Sequence, residues 1–148
     1  MRAIVQRVQY GEVEVHGEVV GSIEKGFLVY LGIRQGDNED DADYLVKKIC
    51  NMRIFSDEND KINLSLADVG GSLLIVSQFT LYADTSHGNR PSFTEACEPV
   101  AAEKLYDYFC DECAQKVEIV QRGVFGADMK VFCLNDGPFT ILIDSGTI

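Results

Sequence analysis

The chain opens on a period of two, and that pattern constrains it more than any other feature. Glu12-Val-Glu-Val-His16 alternates polar and apolar residues without a break, as in a strand with one face in water and the other on a core. Residues 2–8 read as extended too, and in a strand Ala3, Val5 and Arg7 share one face. A charged Arg7 on an apolar face needs a partner. Alternatively, the strand lies at a sheet edge and the arginine snorkels to water. Both readings stand at this point. Phe27-Leu-Val-Tyr-Leu-Gly-Ile33 is a further strand, bracketed by Gly26 and Gly36.

The period then changes. Asn38 is placed to cap a helix whose apolar positions Ala42, Leu45, Val46, Ile49 and Met52 follow helical spacing. The acidic run Asp37–Asp41 falls at that helix's positive end, where carboxylates are stabilised. Leu73–Leu81 reads as a buried strand running into Tyr82, and Pro99 suits the first turn of a second helix with Ala101, Leu105, Phe109 and Cys113 as its buried stripe. Strands follow at Val117–Gln121, Lys130–Leu134 and Phe139–Ile143. Two main helices among roughly eight strands predict an α/β fold, a β-rich mixed domain with layered sheets. No linker, repeat or composition shift divides residues 1–148, which read as one domain.

Composition excludes several classes. The longest apolar stretches, such as Leu73-Leu-Ile-Val76, fall far short of the ~20 residues that span a bilayer, so no membrane partner is expected. Arg2 and Arg7 interrupt the start before a signal-peptide apolar region could form, and the expected location is cytoplasmic. Lys and Arg number 13 against 24 Asp and Glu, a net charge of −11, which opposes a broad electrostatic grip on nucleic acid. Any RNA contact must be local, such as to one strand end.

Five cysteines, an odd number, do not suggest a disulfide framework. Cys110 and Cys113 form a C-x-x-C, but a zinc site needs a second ligand pair, and the two histidines, His16 and His87, lie elsewhere. As calcium loops the acidic runs fail: the glycine and terminal glutamate of Asp37–Asp41 fall on Ala42 and Lys48, Asp57–Ile62 has Lys61 and Ile62 where a ligand and the glycine belong, and both read as solvated faces or turns. Neither a metal nor a cofactor is expected. Phosphate-binding glycine loops and a G-x-S-x-G elbow are absent from the sequence. A serine triad could use only His16, on the polar face of its strand, or His87, in a polar loop that is a site or a solvated turn.

Two segments stand out. Ser77-Gln-Phe-Thr-Leu81 sets hydrogen-bonding and aromatic groups directly after an apolar strand, and Asn135-Asp-Gly-Pro-Phe-Thr140 sets a Gly-Pro between two strands. Taken singly, Thr80 is a good strand former and Asn-Asp-Gly-Pro is a turn. Together, in order, they resemble the paired signatures S-Q-F-T-L and N-x-G-P-x-T of the D-aminoacyl-tRNA deacylase family. The likeness extends through Met1–Val8, Asn51–Phe55, Asn63–Leu66, Asn89–Phe93 and Phe125–Met129. Phe139 departs from the family, where a smaller aliphatic residue is usual.

The resemblance implies a D-aminoacyl-tRNA deacylase-like fold and a homodimer with two composite active sites. The substrate would be the 3′ end of an aminoacyl-tRNA, and the bond cleaved an ester. Ser77, Gln78, Phe79 and Thr80 would form the catalytic segment. Backbone N–H groups near Phe79 and Thr80 would stabilise the oxyanion, the ribose 2′-hydroxyl would assist, and Gln78 would shape the pocket beside the adenosine. Phe125, Ala127, Met129, Asn135 and Thr140 would belong to the substrate-binding set. Gly137-Pro138 would be cis and would enter the partner subunit's pocket to reject L-aminoacyl groups, while Arg7 holds it in orientation. Glycine has no side chain to clash, so glycyl-tRNA should also be cleaved. A thiol-ligated metal hydrolase, and a DNA- or RNA-binding module of the same fold family, are the alternatives from other classes.

Overall fold

The computed structural model describes residues 1–147. β1 (Arg2–Val15) runs unbroken through both N-terminal segments that the sequence separates; it ends at Val15, so His16 lies in the turn, at φ +52°, rather than on the strand. β2 (Glu18–Ile23) and β3 (Gly26–Gly32) follow one another antiparallel to β1, in one register from Gly11↔Ile23 to Arg2↔Gly32.

α1 (Glu39–Asn51) starts at a capping box. Asn38 Oδ1 accepts the Asp40 N–H at 2.9 Å, and the Asp41 carboxylate accepts the Asn38 N–H at 3.0 Å. Met52, expected within the helix, is its C-terminal cap in extended conformation. β4 (Phe55–Ser56) and β5 (Ile62–Leu64) make a small separate pair. Their connection is the second acidic run, in which Asp57 accepts the N–H groups of Asn59 and Lys61. A short α2 (Leu66–Val69) leads into β6 (Ser72–Ser77), which pairs parallel with β3. The strand expected to continue to Leu81 stops at Ser77, and Phe79–Tyr82 form a 3₁₀ turn.

α3 (Pro99–Ala114) has Pro99 in its first turn and the Glu98 carboxylate as its cap, accepting from Val100 N and Ala101 N. Its buried face is Ala102, Leu105, Tyr106, Phe109, Cys110 and Cys113, while Ala101, expected inside, is exposed. Both i+3 and i+4 steps set this face, and a strict i+4 stripe drifts off it. β7 (Val120–Arg122) pairs parallel with β6 and is shorter than the strand expected at Val117–Gln121.

β8 (Lys130–Asp144) is one long strand where the sequence suggests two. It runs antiparallel to β1 from Asp144↔Arg2 to Lys130↔Glu14. The register shifts between Gln6↔Thr140 and Val8↔Asn135, so residues 136–139 bulge out opposite Arg7. The main sheet has the order β2-β1-β3-β6-β7, with β8 on β1.

Period two divides the central strands between two cores. Phe27, Val29, Leu31, Leu73 and Ile75 face α1 and α3, while Leu28, Leu74 and Val76 join Val8, Val13 and Ile23 on the other side. The Tyr106 hydroxyl is buried and donates to the Ile75 carbonyl at 2.8 Å, which satisfies it.

Candidate functional site

The fully buried run of β6 delivers Ser77 and Gln78 to the end of the sheet, where the chain bends away. Gln78 N–H donates to the Leu31 carbonyl at 2.8 Å; Leu81 N–H returns to the Gln78 carbonyl at 3.2 Å, and Ala83 N–H to that of Thr80 at 3.1 Å. The turn presses on β3 at Gly32, where a Cβ would lie 2.9 Å from Leu81 Cβ and 3.1 Å from the Gln78 carbonyl oxygen. Only glycine admits that approach.

Between this turn, the segment leading into α3 and the loop before β8 lies an open cleft of about 630 Å³. Of the sequence-predicted residues, Ser77, Gln78, Phe79, Phe125, Ala127 and Met129 line it. Phe79 is 58% exposed and meets Phe93 edge to face, with ring centroids 5.1 Å apart. Thr80 is exposed and absent from the wall; its hydroxyl accepts a hydrogen bond from Gln78 Nε2. An amide is no base, so Thr80 lacks the activation a nucleophile needs.

The remaining predicted residues gather elsewhere, around the β8 bulge. Gly137–Pro138 is cis and exposed. Asn135 clamps the bulge from within. Its Oδ1 accepts the Phe139 N–H at 2.7 Å, and its Nδ2 donates to the Phe139 carbonyl at 3.2 Å and to Thr140 Oγ1 at 3.3 Å. Arg7 does not snorkel. Its side chain is only 12% exposed, with Nε donating to the Asp136 carbonyl at 2.9 Å and Nη1 to the Ile54 carbonyl at 2.6 Å. Its guanidinium also lies 4.6 Å from the centroid of the Phe139 ring. The large residue at position 139 thus acts as a platform for Arg7. None of Arg7, Asn135, Gly137, Pro138 and Thr140 lines the cleft of its own chain.

The family described as D-Tyr-tRNA(Tyr) deacylase matches residues 4–144. The chain belongs to that family. It is therefore an enzyme, a hydrolase of the deacylase class. It is 54% identical over 145 residues to a D-aminoacyl-tRNA deacylase of Thermosipho africanus, covering 98% of this chain and 97% of the relative. It is 55% identical over 145 residues, with the same coverage, to a D-aminoacyl-tRNA deacylase of Clostridium novyi. Among solved structures, a "c-Myc DNA Unwinding Element Binding Protein" superposes with a TM-score of 0.92 at 39% identity, covering 97% of this chain and 98% of the other. A structure described as "a probable eukaryotic D-amino acid tRNA deacylase" gives a TM-score of 0.82 at 20% identity, over 97% of this chain and 98% of that one, and shows the fold alone.

The two thiols of the C-x-x-C sit in poor places for chemistry. Cys110 and Cys113 face the core from α3. Burial pushes the Cys110 thiol up to about 11, and Cys113 is raised by its hydrogen bond to Cys50 and by burial. Protonated thiols make weak nucleophiles and weak metal ligands. Among the described residues, no group of three or more His, Cys, Asp or Glu side chains is arranged to hold a metal ion. Cys97 reaches the cleft wall, but burial and then the nearby Glu98 and Asp37 carboxylates raise it too. His87 is exposed on the 84–92 loop, its Nδ1 2.7 Å from Ser86 Oγ, whose hydroxyl is bound to Asp84. His16 is exposed in its turn. Neither histidine is set beside a cleft nucleophile.

Sequence reasoning missed Cys97 and Glu98 on the wall, and had Phe93 and Asp128 only as parts of matching segments. Glu98 could have been found as the N-cap signal one residue before Pro99.

Proposed function

We propose that this deacylase hydrolyses the ester joining a D-amino acid, or glycine, to the 3′-terminal ribose of tRNA, and spares L-aminoacyl-tRNA. It works as a homodimer in which Gly137-Pro138 of one copy enters the cleft of the other. The observation that carries this reading is the pairing of an apolar cleft with a rigidly braced, exposed Gly-Pro that lies outside it. A filter held on both sides by Arg7 and Asn135 and pointing out of its own subunit is suited to a partner's pocket. Dimerisation is supported by Tyr10, Phe132, Leu134 and Leu142, large apolar residues exposed on β1 and β8.

The chemistry asks little of side chains. An aminoacyl ester is already activated, so the site has to position water and stabilise the oxyanion. The first N–H groups of a 3₁₀ turn have no partner within it, and those of Phe79 and Thr80 are the donors we assign to the oxyanion. Ser77 and Gln78 shape the cleft beside the terminal adenosine, with Phe125, Ala127 and Met129 opposite, and the ribose 2′-hydroxyl assists the attack. Two carbonyl oxygens set against the α-carbon reject an L side chain by clash, which gives discrimination without tight binding. With a net charge of −11 the chain contacts tRNA locally, at its end, and we read residues 1–148 as one domain acting in the cytoplasm, where aminoacyl-tRNA is used. No helix among the described residues is long and apolar enough to cross a membrane. The net charge of −11 counts against carrying over the DNA binding in the structural neighbour's name.

The test is D-tyrosyl-, L-tyrosyl- and glycyl-tRNA incubated side by side with the protein. The D and glycyl esters should be hydrolysed and the L ester spared; equal rates on the two enantiomers would overturn the reading.

A further inference from the structure

We infer that Arg2 is a positioning residue for the deacylation site, one that holds the Phe79–Tyr82 turn in place from the sheet. The inference rests on the proposed assignment of that turn to catalysis. Arg2 is fixed by its backbone on both edges of β1, opposite Gly32 on β3 and Asp144 on β8. From there its guanidinium makes three contacts. Nη1 donates to the Leu81 carbonyl at 2.8 Å, and Nε donates to Asp144 Oδ2 at 2.8 Å. The guanidinium carbon also lies 4.7 Å from the ring centroid of Tyr82, a buried residue.

Leu81 and Tyr82 are the last two residues of the turn. The start of the turn is tied to β3 through Gln78 N–H and the Leu31 carbonyl, and Gln78 and the Leu81 side chain pack against Gly32. Arg2 secures the far end. Pinned at both ends, the turn keeps Gln78 and Phe79 on the cleft wall. Only arginine can do this. Its planar fork reaches a carbonyl and a carboxylate at once while its face covers a ring; a lysine ammonium is a single point charge. Catalytic geometry is sensitive to small displacements, so releasing one end of the turn should slow turnover without removing any group from the cleft.

The experiment compares Arg2→Lys, Arg2→Gln and Asp144→Asn in steady-state kinetics on D-tyrosyl-tRNA, with melting temperatures measured alongside. Arg2→Lys should lower kcat about tenfold and Arg2→Gln further, with KM and the ratio of D to L rates little changed. Asp144→Asn removes the charge of the Nε partner but leaves the Leu81 contact. It should lower the melting temperature while keeping kcat close to wild type. Wild-type kcat in both Arg2 variants overturns the inference. So does an Asp144→Asn variant that reproduces their kcat loss, because Arg2 would then be a structural staple only. Gln78→Ala, measured in parallel, separates the two levels. If it keeps full activity, the site assignment has failed and the inference falls with it. If it loses activity while the Arg2 variants do not, the positioning role alone has failed.

Discussion

The cleft and the Gly137-Pro138 bulge are built on opposite plans, although the sequence marks each with a short motif. The cleft is concave and is made where a fully buried strand ends and bends into a turn. Its shape comes from packing: the Leu31 carbonyl, the bare Gly32 backbone and apolar walls. The bulge is convex and exposed, and a few polar contacts hold it, two carbonyls on Arg7 and both ends of the Asn135 amide. A pocket can tolerate a change of side chain that keeps its volume. A bulge clamped by single hydrogen bonds cannot lose one without moving. In the proposed function the first region carries the chemistry and the second the selectivity, so substitutions in the two should fail in different ways.

The largest effect is expected at Gly137. A Cβ there would lie 2.6 Å from Phe139 N and 2.9 Å from Phe139 Cβ, so Gly137→Ala must displace the bulge. The ratio of D to L hydrolysis rates should fall about a hundredfold, because the displaced carbonyls no longer meet the L side chain. Mixing sharpens the comparison. A heterodimer of a Gly137→Ala subunit with a Gln78→Ala subunit contains one intact composite site and one doubly damaged site. It should hydrolyse the D ester at about half the wild-type rate with wild-type selectivity, because its one working cleft faces an intact filter. A mixed dimer, confirmed by mass, that hydrolyses the L ester as readily as the Gly137→Ala homodimer would place both regions in a single-subunit site.

A smaller effect is expected at Arg7. Arg7→Met keeps the stem and removes the fork, leaving the Asp136 and Ile54 carbonyls without their donor. The cost should be about 2–3 kcal/mol, read as a lower urea midpoint at unchanged slope. Selectivity should drop with it, by less than for Gly137→Ala. Full selectivity in a destabilised Arg7→Met protein would mean that Asn135 alone orients the bulge.

How much of this could be read in the sequence follows the same division. Strand periodicity and caps were legible: Asn38 and Pro99 mark the two main helices, and Phe27–Ile33 the central strand. The limits of period two as a signal appear at β6. Phe79 and Thr80 are good strand formers and Leu81 is apolar, yet the strand stops at Ser77, because Gln78 bonds back to Leu31 and the close approach at Gly32 pulls the turn down. That cause lies some forty-five residues upstream, out of reach of a local window. β8 shows the converse. Asn-Asp-Gly-Pro reads as a turn, but its flanks pair with one long neighbour, so it becomes a bulge within a single strand. For Arg7, the chain alone left edge and partner equally open. Its hydrogen-bond partners are the main-chain carbonyls of Ile54 and Asp136, with the Asp136 carboxylate at 3.8 Å, in segments far along the chain where no local pattern pairs them with Arg7.

The smallest effect is expected at Thr80, and it decides what kind of catalyst the cleft is. If Thr80 were the nucleophile, its hydroxyl would need a base within hydrogen-bond reach, and truncation would cost several orders of magnitude. Its one side-chain partner is the Gln78 amide, which donates to it and cannot take a proton. The hydroxyl is also exposed and stands off the cleft wall. Thr80→Ala therefore removes a contact that steadies Gln78 while leaving the Phe79 and Thr80 N–H groups where they are. The kcat should fall by less than about tenfold, with selectivity for the D ester intact. Thr80→Ser, which restores the hydroxyl, should recover most of that loss. A thousandfold drop in Thr80→Ala, repaired by serine, would make Thr80 a covalent participant and would move the chemistry from the backbone of the turn to its side chain.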